Sequence, residues 1–336
     1  MRPNYTWLFP DWEGCALLPE QPCSIKPQPT GAPHYLCNMS PRSSDSSPPW
    51  TIGTRVHSPM LVTGVHHRGS GDSEHTVIGL SNAAGRITSA PFWPGDQEMI
   101  AGVRTGQVAQ IIGEITEYQG KLQLKVISLR ILPQGAVEIG KLVQSVPNPM
   151  LWWKRLDQQR GEVVDPILKP VLERCFDDPE LRDRFAACPT ELNGPGARLG
   201  GLLQHTVEVT AAAKALSRLT HGNRDLIIAG AILHDIGKIE AFKWHESFRL
   251  SEVGKLNHPA TIGCEIVSRL LPESDGSPTI PDTISQLHHI ILAQSPGPHW
   301  KTAVKPITIE ALVVRQADRA CTKFRRFQEG DDRQVP

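Results

Sequence analysis

Asn223-Arg-Asp-Leu-Ile-Ile-Ala-Gly-Ala-Ile-Leu-His-Asp-Ile-Gly-Lys238 decides how this chain is read. Its apolar run from Leu226 to Leu233 leaves no polar face, so a helix here must be surrounded by protein on every side. Asn223 suits the N-cap, where its side-chain oxygen can accept a first-turn N–H, and Gly237 is placed to end the helix. At the end of that buried helix an imidazole and a carboxylate, His234 and Asp235, stand side by side. Burying an ionised Asp costs several kcal/mol unless a cation or strong hydrogen bonds compensate. Imidazole nitrogen together with carboxylate oxygen suits a divalent transition-type ion. A helix-terminal pair that merely caps the turn is the simpler alternative.

The segments around this stretch are also helical. His205 follows Leu202 and Leu203 and precedes Val209 and Leu216, which puts it on the apolar face of its own helix. Pro259 suits the first position of a helix carrying Ile262, Ile266 and Leu270, and Pro306 opens one that runs through Ala317 and Asp318. Leu168 to Phe176 spaces its apolar residues at three and four. His258 and the pair His288-His289 open or occupy helices in between. A single inward histidine is ordinarily a satisfied core residue. An inward histidine, a His-Asp doublet and an inward aspartate on three separate helices argue instead for a shared ion.

Ahead of this all-α half, residues 55–132 read as short strands. Thr76–Leu80 and Arg86–Ala90 flank a turn, a short helical stretch lies near 95–103, and Gln107–Gly113 joins Leu122–Ile131 through a Gly-containing hairpin. Leu122, Leu124, Val126 and Ser128 alternate with Gln123, Lys125, Ile127 and Leu129, giving at least one clean buried face. Strands in this number with one intervening helix suit a small closed barrel such as an OB-fold. The expected class is therefore multidomain: a leader over 1–50, rich in Pro and Ser and expected to be disordered; a barrel over 51–135; a helical linker region over 136–195; and an all-α domain over 196–330. Met60 or another internal residue is an alternative natural start. Lys plus Arg and Asp plus Glu are 35 each, so any nucleic-acid contact must come from a local surface rather than from net charge. No apolar run approaches the roughly 18 residues that a membrane span needs. The seven cysteines contain no C-x-x-C pair, which favours reduced thiols and a cytoplasmic protein.

The order His205, His234-Asp235, Asp318 resembles the HD phosphohydrolase superfamily. Gly200-Gly-Leu-Leu-Gln-His-Thr206, the 223–238 stretch, Gly254-Lys-Leu-Asn-His258, Leu287-His-His-Ile-Ile-Leu292 and Glu310-Ala311 are similar to the YhaM-type 3′→5′ exoribonucleases. That family joins an OB-fold to an HD domain, and Gly106-Gln-Val and Ile115 to Leu124 look like its closing strands. The resemblance implies that His205, His234, Asp235 and Asp318 hold one divalent ion, Mn²⁺ first and Fe²⁺, Mg²⁺, Co²⁺ or Zn²⁺ as alternatives. It implies that His258 and His289 contribute to a second ion bridged by Asp235, although helical spacing puts His288 nearer the Ile284–Leu287–Ile291 face. Asp235 and Lys238 become the catalytic residues, with Lys238 neutralising phosphate. Lys238 is equally readable as a solvated partner of a helix C-terminus.

The implied partner is single-stranded RNA or DNA, with no membrane and room for a homo-oligomer. In the barrel, Tyr118 and Trp93 would stack on bases, and Arg86, Lys121 and Lys125 would contact phosphate. The chain departs from the family where Ala293-Gln-Ser-Pro-Gly297 replaces a His-His-Gly, where Pro195-Gly-Ala197 replaces a His-His-Ala, and where Arg315 replaces a histidine. Two other readings fit the same residues: an HD nucleotidase or dNTPase, and a catalytically degenerate single-strand-binding protein.

Overall fold

The computed structural model describes residues 50–194, 196–245, 247–271, 282–294 and 304–328. The expected leader falls outside these residues except for Trp50, which is buried in the core of the N-terminal sheet and so belongs with it.

Five antiparallel strands, β1 (Arg55–Arg68), β2 (His75–Asn82), β3 (Gly85–Thr88), β4 (Val108–Tyr118) and β5 (Lys121–Ile131), form a sheet in the order β3-β2-β1-β4-β5. Just past β3 a parallel bridge joins Ser89 to Leu124, and Ala90 N–H donates to the Leu124 carbonyl at 2.8 Å, which brings the two sheet edges together. The period-2 pattern explains β4, where Ile111 and Ile115 are buried and Ile112 and Glu114 are exposed. In β5 the alternation breaks: Leu124 is buried, but Ser128, expected on the same face, is exposed. The cause is a register shift between Ile112 and Gly113, a bulge that re-aims the end of the hairpin. Gln119 and Gly120, both at positive φ, make the two-residue turn. The short helical stretch expected near 95–103 is a 3-10 helix over Pro94–Ile100.

The helical half comprises α1 (Ile139–Leu142), α2 (Pro149–Arg160), α3 (Leu168–Asp177), α4 (Pro179–Ala187), α5 (Gly201–Ser217), α6 (Arg224–Leu233), α7 (Lys238–Ala241), α8 (Glu252–Leu256), α9 (Pro259–Arg269), α10 (Asp282–Leu292) and α11 (Ile309–Gln328). A two-residue hairpin, β6 (Phe242–Lys243) with β7 (Arg249–Leu250), lies between α7 and α8. The region expected to be a linker is largely core. Trp153 on α2, Val171, Leu172 and Phe176 on α3 and Phe185 on α4 are buried in the same apolar cluster as α5, α6, α9, α10 and α11. Trp153 meets Phe176 and Phe185 at centroid distances of 6.1 and 6.0 Å, with the Arg182 guanidinium 4.0 Å above its ring. No described helix is long and apolar enough to cross a membrane.

Sheet and helices meet across a small apolar cluster in which Leu61 and Val108 pack on Ile139, Leu142 and Val143. Polar ties surround it. Ala83 N–H donates to the Lys141 carbonyl at 3.0 Å, and Arg86 donates to the carbonyl of Gly194 and, at 2.9 Å, to that of Ala197. The expectation that Arg86 contacts phosphate is corrected here, because its guanidinium is engaged by the segment that leads into α5. Charged hydrogen bonds of this kind contribute about 1.5–3 kcal/mol. Arg86→Ala should therefore speed hydrogen exchange in residues 190–200 while leaving exchange in the strand interior unchanged. Unaltered protection across that segment would show that Arg86 does not tie the two halves.

Candidate metal centre

α6 delivers the centre. Every residue from Leu226 to Leu233 is buried, and Asn223 Oδ1 accepts the Leu226 N–H at 3.1 Å. His234 follows as C-cap, and a turn runs from it into α7. Gly237 has φ −63°, so it is not the left-handed stop expected from its position. Its constraint is space: a Cβ there would stand 1.9 Å from the Pro259 carbonyl oxygen and 2.5 Å from Gly263 N. The turn carrying His234 and Asp235 is thereby pressed onto the first turns of α9, an approach open only to glycine.

His234 Nδ1–H donates to the Ala231 carbonyl at 2.8 Å, which leaves the lone pair on Nε2. That Nε2 is buried without a hydrogen-bond partner and faces Asp235 Oδ2 at 3.3 Å. Two acceptors at such a distance repel unless positive charge accompanies them. His205 on α5 brings Nε2 to 3.1 Å from Asp318 Oδ1 on α11 and to 3.8 Å from Asp235 Oδ2. The ligand atoms of His205, His234 and Asp318 all lie within 4.8 Å of one another. Two imidazoles and the Asp318 carboxylate within this distance, with Asp235 beside His234, fit a divalent transition-type ion.

Lys238 Nζ stands 2.5 Å from Asp235 Oδ2, with both side chains buried. The carboxylate thus has a resident cation of the protein's own, in Lys238, beside any metal. Burial would raise the Asp235 pKa, but the Lys238 ammonium and the His234 and His205 rings outweigh it and hold the carboxyl well below its usual range. Asp318 behaves likewise: burial opposes ionisation, and the bond to His205 overcomes it. Burial depresses His205 despite Asp318, whereas for His234 the Asp235 and Asp318 charges overcome burial and raise the pKa.

Three further histidines were candidates. His258 caps α9, its Nδ1 accepting the Ala260 N–H at 3.1 Å; burial depresses its pKa, partly offset by Asp235. His289 Nε2 accepts the Ile307 N–H at 3.0 Å, and His288 Nε2 lies 3.4 Å from Ser268 Oγ. Neither α10 histidine joins the cluster of His205, His234 and Asp318. The sequence reading overlooked Thr322, whose hydroxyl donates to Asp318 Oδ1 at 3.4 Å, and Arg325, which pairs with Glu208 and whose charge reaches His205. Both share the Asp318 face of α11 at spacings of four and seven, a signal that was legible.

The HD domain profile matches residues 202–322, which span α5 to α11 and contain every residue of the centre. Beyond that domain, a 3′-5′ exoribonuclease YhaM from Geobacillus sp. (strain WCH70) is 26% identical over 295 residues, covering 85% of this chain and 88% of the relative. The YhaM of Bacillus subtilis (strain 168) is 24% identical over 297 residues, covering 85% and 90%. That of Listeria welshimeri is 26% identical over 243 residues, covering 71% and 75%. Over most of its length the chain is thus similar to proteins named 3′-5′ exoribonuclease YhaM, and it carries an HD domain. Among the barrel candidates, Tyr118, 63% exposed, and the exposed Lys121 and Lys125 share the β4–β5 hairpin, where Lys125 lies opposite Glu114. Trp93, 46% exposed, tilts against His75 at a centroid distance of 5.1 Å.

The electrostatics carry two expectations of opposite sign. A proton on His234 and a metal ion compete for Nε2, so ion affinity should rise with pH by up to about tenfold per unit until the raised His234 pKa is passed. In the metal-free protein the sign is opposite: stability from charged His234 is full below the ordinary imidazole pKa and is lost as pH rises through the raised value. Titrating Mn²⁺ between pH 6 and 8.5 checks the first, and melting in chelator over the same range checks the second. Asp235→Ala should cost the metal-free protein about 3 kcal/mol by stranding Lys238 in the interior. Adding Lys238→Met should recover most of that loss in denaturant midpoints.

Proposed function

We propose that the chain is a metal-dependent 3′→5′ exonuclease that acts on single-stranded RNA, with Mn²⁺ as the working ion. The observation that carries the reading is His234 Nε2, buried and 3.3 Å from the Asp235 carboxylate, in a cluster where the ligand atoms of His205, His234 and Asp318 lie within 4.8 Å of one another. His205, His234, Asp235 and Asp318 would hold the ion, which when bound supplies Lewis acidity toward a water and a phosphate oxygen. Lys238, already beside Asp235, would lend its ammonium to phosphate charge as the attacking oxygen adds and the leaving oxygen departs. The apolar walls of α6 keep bulk water from screening these charges.

The five-stranded sheet, in this reading, is an OB-fold, supported by its strand order and by the Ser89–Leu124 bridge that draws its edges together. Its β4–β5 hairpin offers Tyr118 for stacking and Lys121 and Lys125 for phosphate, and Trp93 with His75 offers a second ring surface. The apolar seam with α1 makes the barrel integral to the helical half, which favours a polymer substrate over a free nucleotide.

Incubating the chain with RNA labelled at its 5′ end should give a ladder that shortens from the 3′ end. Chelator, His205→Ala and Asp318→Ala should each abolish it. Intact RNA with Mn²⁺ present, or hydrolysis of free nucleotides alone, would overturn the reading. Lys121→Glu with Lys125→Glu should weaken RNA binding and flatten its salt dependence by about 0.7 in the log–log slope for each phosphate no longer neutralised. An unchanged slope would remove the hairpin from the RNA path.

A further inference from the structure

We propose that His258 is not a metal ligand but a hydrogen-bond donor, offering its Nε2–H to a phosphate oxygen of the substrate, and that the protein's side chains complete a site for one ion only. The proposal rests on the phosphodiester-cleaving reading above and goes beyond it in fixing the ion count and the role of this ring.

The start of α9 sets the state of the ring. Pro259 occupies the first helical position and has no N–H, so the first main-chain donor that needs a cap is Ala260. His258 Nδ1 accepts that N–H at 3.1 Å. A neutral imidazole carries one proton, and with the lone pair of Nδ1 in use the proton sits on Nε2. Ligation through Nε2 would require the opposite tautomer. Nδ1–H would then face the Ala260 N–H, two donors at 3.1 Å, and α9 would lose its cap. Relief by moving the helix start is blocked, since the Pro259 carbonyl and Gly263 are packed against Gly237 so closely that a Cβ has no room.

His234 shows the contrast. There Nδ1–H donates to a carbonyl and Nε2 is bare, the tautomer a ligand needs. The two rings flank the same turn in opposite states, one suited to a cation and the other to an oxygen. Pro259, which follows His258, is pressed against Gly237, the neighbour of Lys238, so the His258 donor and the Lys238 ammonium serve one locality. The other candidate for a second ion is similarly engaged: His289 Nε2 accepts the Ile307 N–H at 3.0 Å. Gln294, where the family carries a histidine, is buried with its amide nitrogen donating to the Ile290 carbonyl at 2.7 Å. Ser295 lies outside the described residues. Each of these two histidines is thus held by a main-chain N–H in a state that does not suit a second ion.

The test uses the full chain, His258→Ala and His258→Asn, because asparagine can both accept the Ala260 N–H and donate from its amide. Mn²⁺ stoichiometry and affinity by equilibrium dialysis should be one ion per chain, with dissociation constants within about twofold, in all three. Cleavage of single-stranded RNA should fall about tenfold to a hundredfold in kcat/KM for His258→Ala, the loss of one hydrogen bond to a charged oxygen. His258→Asn should recover part of it and melt like the parent. Inorganic phosphate binding to the Mn²⁺-loaded chain, read by calorimetry, should weaken about tenfold in His258→Ala. Two ions in the parent with one lost in His258→Ala, or loss of a single ion in that variant, overturns the proposal. So does unchanged phosphate affinity in His258→Ala. A parent that binds one ion and phosphate but cleaves no RNA overturns the nuclease reading alone.

Discussion

Asp235 is an ionised carboxylate set into an all-helical core, and the surrounding structure answers the charge that this creates. α6 is apolar on every side, so no solvent reaches the carboxylate from behind. Lys238 Nζ meets it at 2.5 Å, His234 Nε2 at 3.3 Å and His205 Nε2 at 3.8 Å, while Asp318 adds a second negative charge to the same cluster. At a low local dielectric such charges interact strongly, and the group stands only while every partner keeps its place. Gly237 holds that place by allowing α9 to press on the turn. Glu310, far from the cluster in sequence, does so too, because its carboxylate accepts the Asn223 N–H at 2.8 Å at the other end of α6.

The same constraint accounts for how the two halves are joined. A helix bearing His205 must enter the centre at a defined height, and its leading segment is held by Arg86 from the barrel and by a Ser145–Leu199 bridge. The sheet therefore supports the segment that leads into the His205 helix as well as offering its hairpin to solvent. An arginine that looks like a phosphate contact in a linear sequence is, in the fold, a strut between layers.

Residue type and period were enough to find α6, its Asn223 cap, the Pro259 helix start and the inward placement of His205 and Asp318, because burial leaves a continuous or 3.6-period apolar pattern. They were not enough for 136–195, where charged residues such as Arg160 and Arg182 interrupt the pattern. Both arginines form ion pairs with Asp157, and Arg182 stacks on Trp153, so polar letters line a segment that packs as core. The β5 face was misjudged for a different reason: a one-residue bulge opposite Ile112 flips every side chain beyond it, and no composition reports a bulge. Arg86 and Lys238 are the clearest cases of residues whose partners lie across a loop or a turn and whose roles follow from those partners.

Histidine sets the deepest limit on reading chemistry from residue type. One letter stands for two tautomers with opposite functions, and which is present depends on whether Nδ1 meets a carbonyl or an N–H. For His234 the partner is the Ala231 carbonyl three residues back in its own helix, a contact within reach of a histidine that continues the helical path. For His258 the partner is the Ala260 N–H, exposed because proline precedes it. The order His258-Pro259 thus encodes an accepting Nδ1 just as a histidine ending an unbroken helix encodes a donating one. Two histidines on either side of one turn are then divided between cation and anion by the main chain alone, before any ligand arrives.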